Sequence, residues 1–212
     1  MSGGDPAGAG TTGVGTGAGT TGARVLTVCT GNICRSPFME RALQAELDRS
    51  WGPGVVEVRS AGTGAMVGEP MNPPALRVLE AAGYRADGFV ARALTPEIVA
   101  SADLVLTATR RHRGLVAQMH PRALRYTFTL RELADLVSDL PREAYAADDA
   151  GEHIRALVQA AAGRRGLRPP LSDEDADVVD PYRREAVVFD TMSAQVMSAL
   201  PQVAAALGRA DG

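Results

Sequence analysis

The chain contains no lysine; all 22 of its basic residues are arginine. That absence excludes Schiff-base catalysis and a Walker-type nucleotide loop, which both require a lysine amine. Cysteine is scarce too, at two residues in 212, too few for a disulfide-stapled secreted fold. Aromatic residues make up 4%, which leaves little for the stacking platforms that bind single-stranded nucleic acid. A net charge of −3 lacks the basic excess of a nucleic-acid binder. Apolar runs are too short to cross a bilayer, and the N-terminal stretch has neither the basic region nor the apolar segment of a signal peptide. The expectation is a cytoplasmic protein with no nucleic-acid or membrane partner. What the chain does have is 45% hydrophobic and 22% charged residues, enough for a packed core.

Residues 1–23 are nearly all Gly, Ala, Thr and Ser and read as a flexible tail ahead of one domain over 24–212. A β-branched run, Arg24–Val28, reads as a buried strand. It leads into Cys29-Thr30-Gly31-Asn32-Ile33-Cys34-Arg35-Ser36-Pro37, and Met39, Leu43 and Leu47 then recur at helical spacing. Ser36 is expected as the N-cap of that helix and Pro37 as its first residue. Further strands are expected at 55–58, 104–106 and 125–128. Helices are expected at 73–83, 95–101, 110–119 and 130–138. An insert over about 139–179 is expected to hold a helix at 150–162 and an acidic loop at 172–177. The stripe Phe189, Met192, Val196, Leu200, Val203 and Leu207 predicts a long last helix, weakened or kinked at Pro201. Alternating strands and helices imply an α/β fold: a small four-stranded parallel sheet with helices on both faces.

The Cys29–Ser36 segment carries the chemistry. On a strand-to-helix turn, its backbone N–H groups can ring a tetrahedral oxyanion, with the helix dipole pointing at the same place. Gly31 permits a positive φ and Asn32 tolerates one. Arg35 can grip two oxygens of the anion. The same donors favour a thiolate at Cys29, a nucleophile placed for in-line attack on phosphorus. The leaving oxygen then needs a proton, and Asp180, held extended by Pro181, is the candidate acid. Tyr182 can wall a flat substrate ring. Cys29 and Cys34, with His112, His120 and His153, have no metal-ligand spacing, so a metal is not expected.

These residues resemble the low-molecular-weight protein tyrosine phosphatases. The match runs through Val28–Pro37, Ser60-Ala61-Gly62-Thr63 and Asp180-Pro181-Tyr182. The arginine-only usage suits a GC-rich, actinobacterial member. By resemblance, Cys29 forms a cysteinyl-phosphate and Arg35 holds the phosphoryl oxygens. Asp180 protonates the phenolate and then activates water. Thr30, Gly31, Asn32, Ile33, Cys34 and Ser36 bind phosphate, while Asn32, Ser36 and Ser60 brace the loop. Met66 stands at the pocket wall, where relatives often carry an aromatic residue, and Arg183 follows Tyr182. Ile33 favours tyrosine over phosphoarginine, since arginine-phosphatase relatives carry Thr there. No metal or cofactor is implied. The implied partner is a phosphotyrosine protein, such as a bacterial tyrosine kinase or an exopolysaccharide-export protein, acted on by a monomer or weak dimer. Two other readings stand beside this one: an arsenate reductase using an external small thiol, and a silent anion-binding module. From the loop itself, Cys34 is expected as the resolving thiol of a redox switch at Cys29.

Overall fold

A computed structural model describes residues 22–209. The tail expected over 1–23 lies outside the described residues as far as position 21. Its last residue is a correction, because Ala23 is buried and opens the first strand.

Four parallel strands form one sheet: β1 (Ala23–Cys29), β2 (Val56–Gly62), β3 (Leu104–Thr107) and β4 (Thr127–Thr129), in the order β2-β1-β3-β4. Each strand is followed by helical chain: α1 (Arg35–Trp51) after β1, α2 (Pro73–Ala81) and α3 (Pro96–Ala100) after β2, and α4 (Arg110–Met119) after β3. After β4 come α5 (Leu130–Val137), α6 (Ala150–Arg164), α7 (Asp173–Ala176) and α8 (Ala186–Leu207). Parallel strands joined by crossovers are covered on both faces, so they read as continuous apolar runs. Val25, Leu104 and Leu106 pack into the larger core, with α1, α2, α5, α6 and α8. Leu26, Val28 and Val105 point the other way, into a smaller core that includes Val99 of α3 and Val116 of α4.

Several boundaries differ from expectation for physical reasons. β2 runs to Gly62 because β1 pairs with it along its whole length, from Ala23↔Val56 to Cys29↔Gly62. Residues 121–125 form a 3-10 turn, not the start of a strand, and β4 begins at Thr127. The acidic loop at 172–177 contains α7, because the Ser172 hydroxyl accepts from the Asp175 N–H at 3.0 Å and caps it. α8 runs unbroken through Pro201, whose ring sits on the exposed side. The buried stripe of α8 is the expected one.

The α6 part of the insert packs into the larger core, and the insert's last residues return to the strand ends that carry Cys29, where the Val178 carbonyl accepts from Arg35. Buried Ile154, Leu157 and Ala161 of α6 enter the larger core. His153 places Nε2 2.8 Å from the Ala206 carbonyl at the end of α8. Arg165 is 4.0 Å over the Phe128 ring and pairs with Glu132 at 2.9 Å, tying the insert to β4 and α5.

Candidate active site

In this strand order the chain leaves β1 on one side for β2 and later returns on the other for β3. That reversal opens a crevice at the C-terminal ends of the strands, where α/β sheets hold ligands. Cys29 is the last residue of β1 and lies there.

The loop after Cys29 is turned inside out by its neighbours. The N–H groups of Thr63, Gly64 and Met66 donate to the carbonyls of Cys29, Thr30 and Gly31, each at 3.0 Å. The Asn72 N–H donates to the Ile33 carbonyl at 2.8 Å. With its carbonyls held outward, the loop faces its amides inward, and none of the N–H groups of Gly31–Arg35 donates a bond within the described residues. The close approach requires Gly62, where a Cβ would sit 2.4 Å from the Thr30 carbonyl oxygen. The left-handed turn is made by Asn32, at φ 54°, and not by Gly31.

Asn32 is fully buried and is held by a polar network behind the loop. Its Nδ2 donates to Ser36 Oγ at 2.9 Å and to Ser60 Oγ at 2.8 Å, and its Oδ1 accepts the Arg92 N–H at 2.8 Å. Ser60 in turn donates to Glu40 Oε2 at 2.5 Å. The network satisfies both polar side-chain atoms of Asn32, which allows a left-handed non-glycine residue in a buried place. Ser36 is spent here too. Its hydroxyl lies 3.0 Å from Cys29 Sγ and does not cap α1, which begins at Arg35 with Cys34 as N-cap. The expected Ser36 cap is therefore replaced by a hydroxyl facing the sulfur.

Cys29, Thr30, Gly31, Ile33, Cys34, Arg35, Met66, Asp180 and Tyr182 line one cavity of about 150 Å³, together with Gly64. Asn32, Ser36 and Ser60 are buried and are not among the residues lining it. Arg35 is buried, and its Nη2 is 2.8 Å from Asp180 Oδ2 across the pocket. Its Nη1 donates to the Val178 carbonyl at 3.4 Å, and its Nε has no partner among the described residues. Val178 hangs on the end of β3 through its N–H to the Ala108 carbonyl at 2.8 Å. The Val179 N–H donates to Gln195 of α8, also at 2.8 Å. Those two bonds set Asp180 over the pocket. Tyr182 is a third exposed, with Arg183 5.2 Å over its ring. The 139–179 insert supplies no wall residue. A cavity of about 310 Å³ near the starts of β1 and β2 holds Arg24, Arg59 and Arg92 with Glu57 and Ser101, and no cysteine lines it.

Burial, and after it the charge of Cys29, pushes the Cys34 thiol up to about 12. Burial, followed by the Arg35 charge, brings His112 down to about 4, with Asp180 opposing. His112 entered the sequence reasoning only as a metal ligand, yet it bonds Thr30 in the loop. Glu40 and Arg92 were missed as well. Glu40 had a signal, since it lies one helical turn after Ser36 on the same face of α1.

A family model described as low molecular weight phosphotyrosine protein phosphatase matches residues 24–164. The low molecular weight protein-tyrosine-phosphatase Etp of Escherichia coli is 33% identical over 138 residues, covering 65% of this chain and 88% of Etp. The probable low molecular weight protein-tyrosine-phosphatase EpsP of Ralstonia nicotianae is 34% identical over 138 residues, covering 64% and 91%. Among solved structures, the YwlE arginine phosphatase of Geobacillus stearothermophilus is similar at TM-score 0.61 and 26% identity, over 86% of this chain and 91% of that one. The tyrosine phosphatase Wzb of Escherichia coli K30, in complex with sulphate, shares the fold at TM-score 0.62 and 24% identity, over 87% and 98%.

Proposed function

The chain belongs to the low molecular weight protein tyrosine phosphatases, and from that premise we propose that it hydrolyses phosphotyrosine in proteins through Cys29. The observation that carries the reading is the ring of inward-facing, unspent N–H groups at Gly31–Arg35 directly after Cys29. Such a ring receives three phosphoryl oxygens and leaves the fourth, esterified oxygen pointing outward toward Asp180.

Arg35 and Asp180 are paired before substrate enters. A phosphoryl dianion offers Arg35 a doubly charged, bidentate partner in place of one carboxylate oxygen. The exchange frees the Asp180 carboxylate, which takes up a proton from solvent and addresses the leaving oxygen. The Cys29 sulfur then attacks phosphorus in line, the P–O bond to tyrosine breaks, and the Asp180 proton goes to the phenolate. In the second step the Asp180 carboxylate takes a proton from water. That water oxygen bonds phosphorus, the S–P bond breaks, and Cys29 returns as thiolate with the Ser36 hydroxyl facing it. Ile33, Met66 and Tyr182 supply apolar wall for an aryl ring. We read the partner as a phosphotyrosine protein such as a bacterial tyrosine kinase or an exopolysaccharide-export protein. Cys34, beside Cys29 in the pocket, is the proposed resolving thiol when peroxide oxidises Cys29.

The test is phosphate release from an aryl phosphate in chelator-treated buffer, with vanadate binding measured in parallel. Cys29→Ser is expected to abolish turnover while vanadate still binds, because the amide ring and Arg35 remain. Arg35→Lys is expected to lose both, since an ammonium cannot reproduce the two-point grip. Substantial turnover by Cys29→Ser would overturn the covalent route.

A further inference from the structure

His112 lies on α4 and is 3% exposed, outside the chemistry described so far. Both ring nitrogens are engaged. Nδ1 is 2.7 Å from the Thr109 hydroxyl, and Nε2 is 2.9 Å from the Thr30 hydroxyl in the Cys29 loop. Thr109 is the N-cap of α4, and its Oγ1 accepts the His112 backbone N–H at 3.2 Å.

The capping bond sets the direction of this row. The Thr109 hydroxyl accepts from the helix and still has its own proton to place. Among the described residues, the acceptor beside it is Nδ1. Nδ1 is then the unprotonated nitrogen, and the ring proton sits on Nε2 and points at Thr30 Oγ1. The surroundings hold the ring neutral, through burial first and then Arg35, with Arg111 adding and Asp180 opposing. A Thr30 hydroxyl that receives a bond keeps its own hydrogen to donate. Its methyl group is turned toward Gly64, where an added Cβ would lie 3.8 Å from it. Thr30 lines the cavity shared by Cys29 and Arg35.

We propose that His112 is a positioning residue for phosphoryl transfer: it clamps the Thr30 side chain so that the Thr30 O–H donates to a phosphoryl oxygen as the group moves to Cys29. The row runs from Thr109 O–H to Nδ1, from Nε2–H to Thr30 Oγ1, and from Thr30 O–H to the anion. It starts at a helix N-terminus and points every dipole the same way. No proton is transferred along it. Its contribution is a donor already aimed where negative charge gathers, which costs no reorganisation during the reaction. The inference rests on the reading of this pocket as a phosphoryl-transfer site.

The experiment compares wild type, Thr30→Val, His112→Ala, His112→Gln and the Thr30→Val/His112→Ala double variant. Thr30→Val and His112→Ala are each expected to lower kcat for an aryl phosphate and to weaken vanadate binding by about tenfold, with KM changing less. His112→Ala is expected to add nothing in the Thr30→Val background. His112→Gln, whose amide N–H reaches toward the Nε2 position, is expected to recover most of the loss. Long-range proton–nitrogen NMR on wild type at pH 7 is expected to show the Nε2–H tautomer. An Nδ1–H tautomer would overturn the proposal. So would an equal loss from His112→Ala with and without the Thr30 hydroxyl, which would mark His112 as packing only. Should His112→Ala fail to fold, Thr30→Val, His112→Gln and the tautomer decide the matter. If wild type released no phosphate, the phosphatase reading would fall, and the tautomer and vanadate affinities would still judge the clamp.

Discussion

At the scale of single residues, the site is built by giving polar groups jobs that their local sequence does not announce. Ser36 is a good helix cap by type, yet its hydroxyl faces the Cys29 sulfur. Asn32 is a turn residue by type, and here it is the buried hub of a network. Cys34 is the sharpest case. Burial and the Cys29 charge hold its thiol up at about 12, which keeps Cys34 protonated, and in the proposed switch peroxide attacks Cys29. Oxidation makes Cys29 an uncharged sulfenic acid, which removes the second of those causes. In the proposed switch the Cys34 thiol attacks the sulfenic sulfur, the S–S bond forms, and water leaves. Wild type treated with peroxide is expected to gain an internal disulfide slowly and to recover with a thiol reductant. Cys34→Ser is expected to pass to the sulfinic acid and stay inactive. Equal recovery of the two, with no internal disulfide by mass, would contradict this.

At the scale of elements, the placement of Cys29 depends on how tightly β1 and β2 end together. The register Cys29↔Gly62 brings the loop carbonyls onto the segment after β2. A side chain at 62 meets backbone on both sides, the Thr30 oxygen at 2.4 Å and Ala65 at 3.0 Å. Gly62→Ala is therefore expected to destabilise the fold by about 1–3 kcal/mol and to weaken vanadate binding, because backbone must shift. Gly64→Ala, where the nearest atom is the Thr30 methyl at 3.8 Å, is expected to be nearly neutral. Urea midpoints at unchanged m-value measure both. Much of this level was legible in the sequence. Contiguous apolar runs gave away β1 and β3, and the spaced stripe gave away α8. The extension of β2 through Arg59 and Ser60 was not legible. Pairing with β1 makes that stretch a strand, and pairing is a property of the partner. The 3-10 turn ahead of β4 was missed for a similar reason, since Arg125 and Tyr126 are as acceptable in a strand as at a turn's end.

At the scale of the whole molecule, residues far apart in sequence meet to make and hold the site. Cys29–Arg35 is contiguous and so was readable as chemistry. Asp180 was readable only beside its Pro and Tyr. His112 and Arg92 were not, because each meets the loop through a contact across the fold, and Glu40 offered only its helical spacing from Ser36. The buried histidines also tie the molecule's stability to pH. His112 is brought from an ordinary 6.5 to about 4, and His153 is also lowered, by burial first and with its bond to the Ala206 carbonyl opposing. Below about pH 6.5 the unfolded chain takes up protons that the folded chain refuses, so stability falls with pH down to about 4 for the His112 share. Urea midpoints measured between pH 7 and pH 5 are expected to drop, and to drop less in His112→Gln and His153→Gln. A slope unchanged in both variants would contradict the assignment.

The central claim is that the phosphoryl group rests covalently on Cys29. Asp180 serves both steps in this mechanism, so Asp180→Asn slows the second step even when an activated phenol makes the first one easy. The most direct measurement is the mass and peptide map of Asp180→Asn, acid-quenched during turnover of an aryl phosphate with a good leaving group. The expected result is one phosphoryl group on the peptide that carries Cys29, absent in Cys29→Ser/Asp180→Asn. Phosphate released with no phosphoryl group on the protein, or with one on another residue, would contradict it.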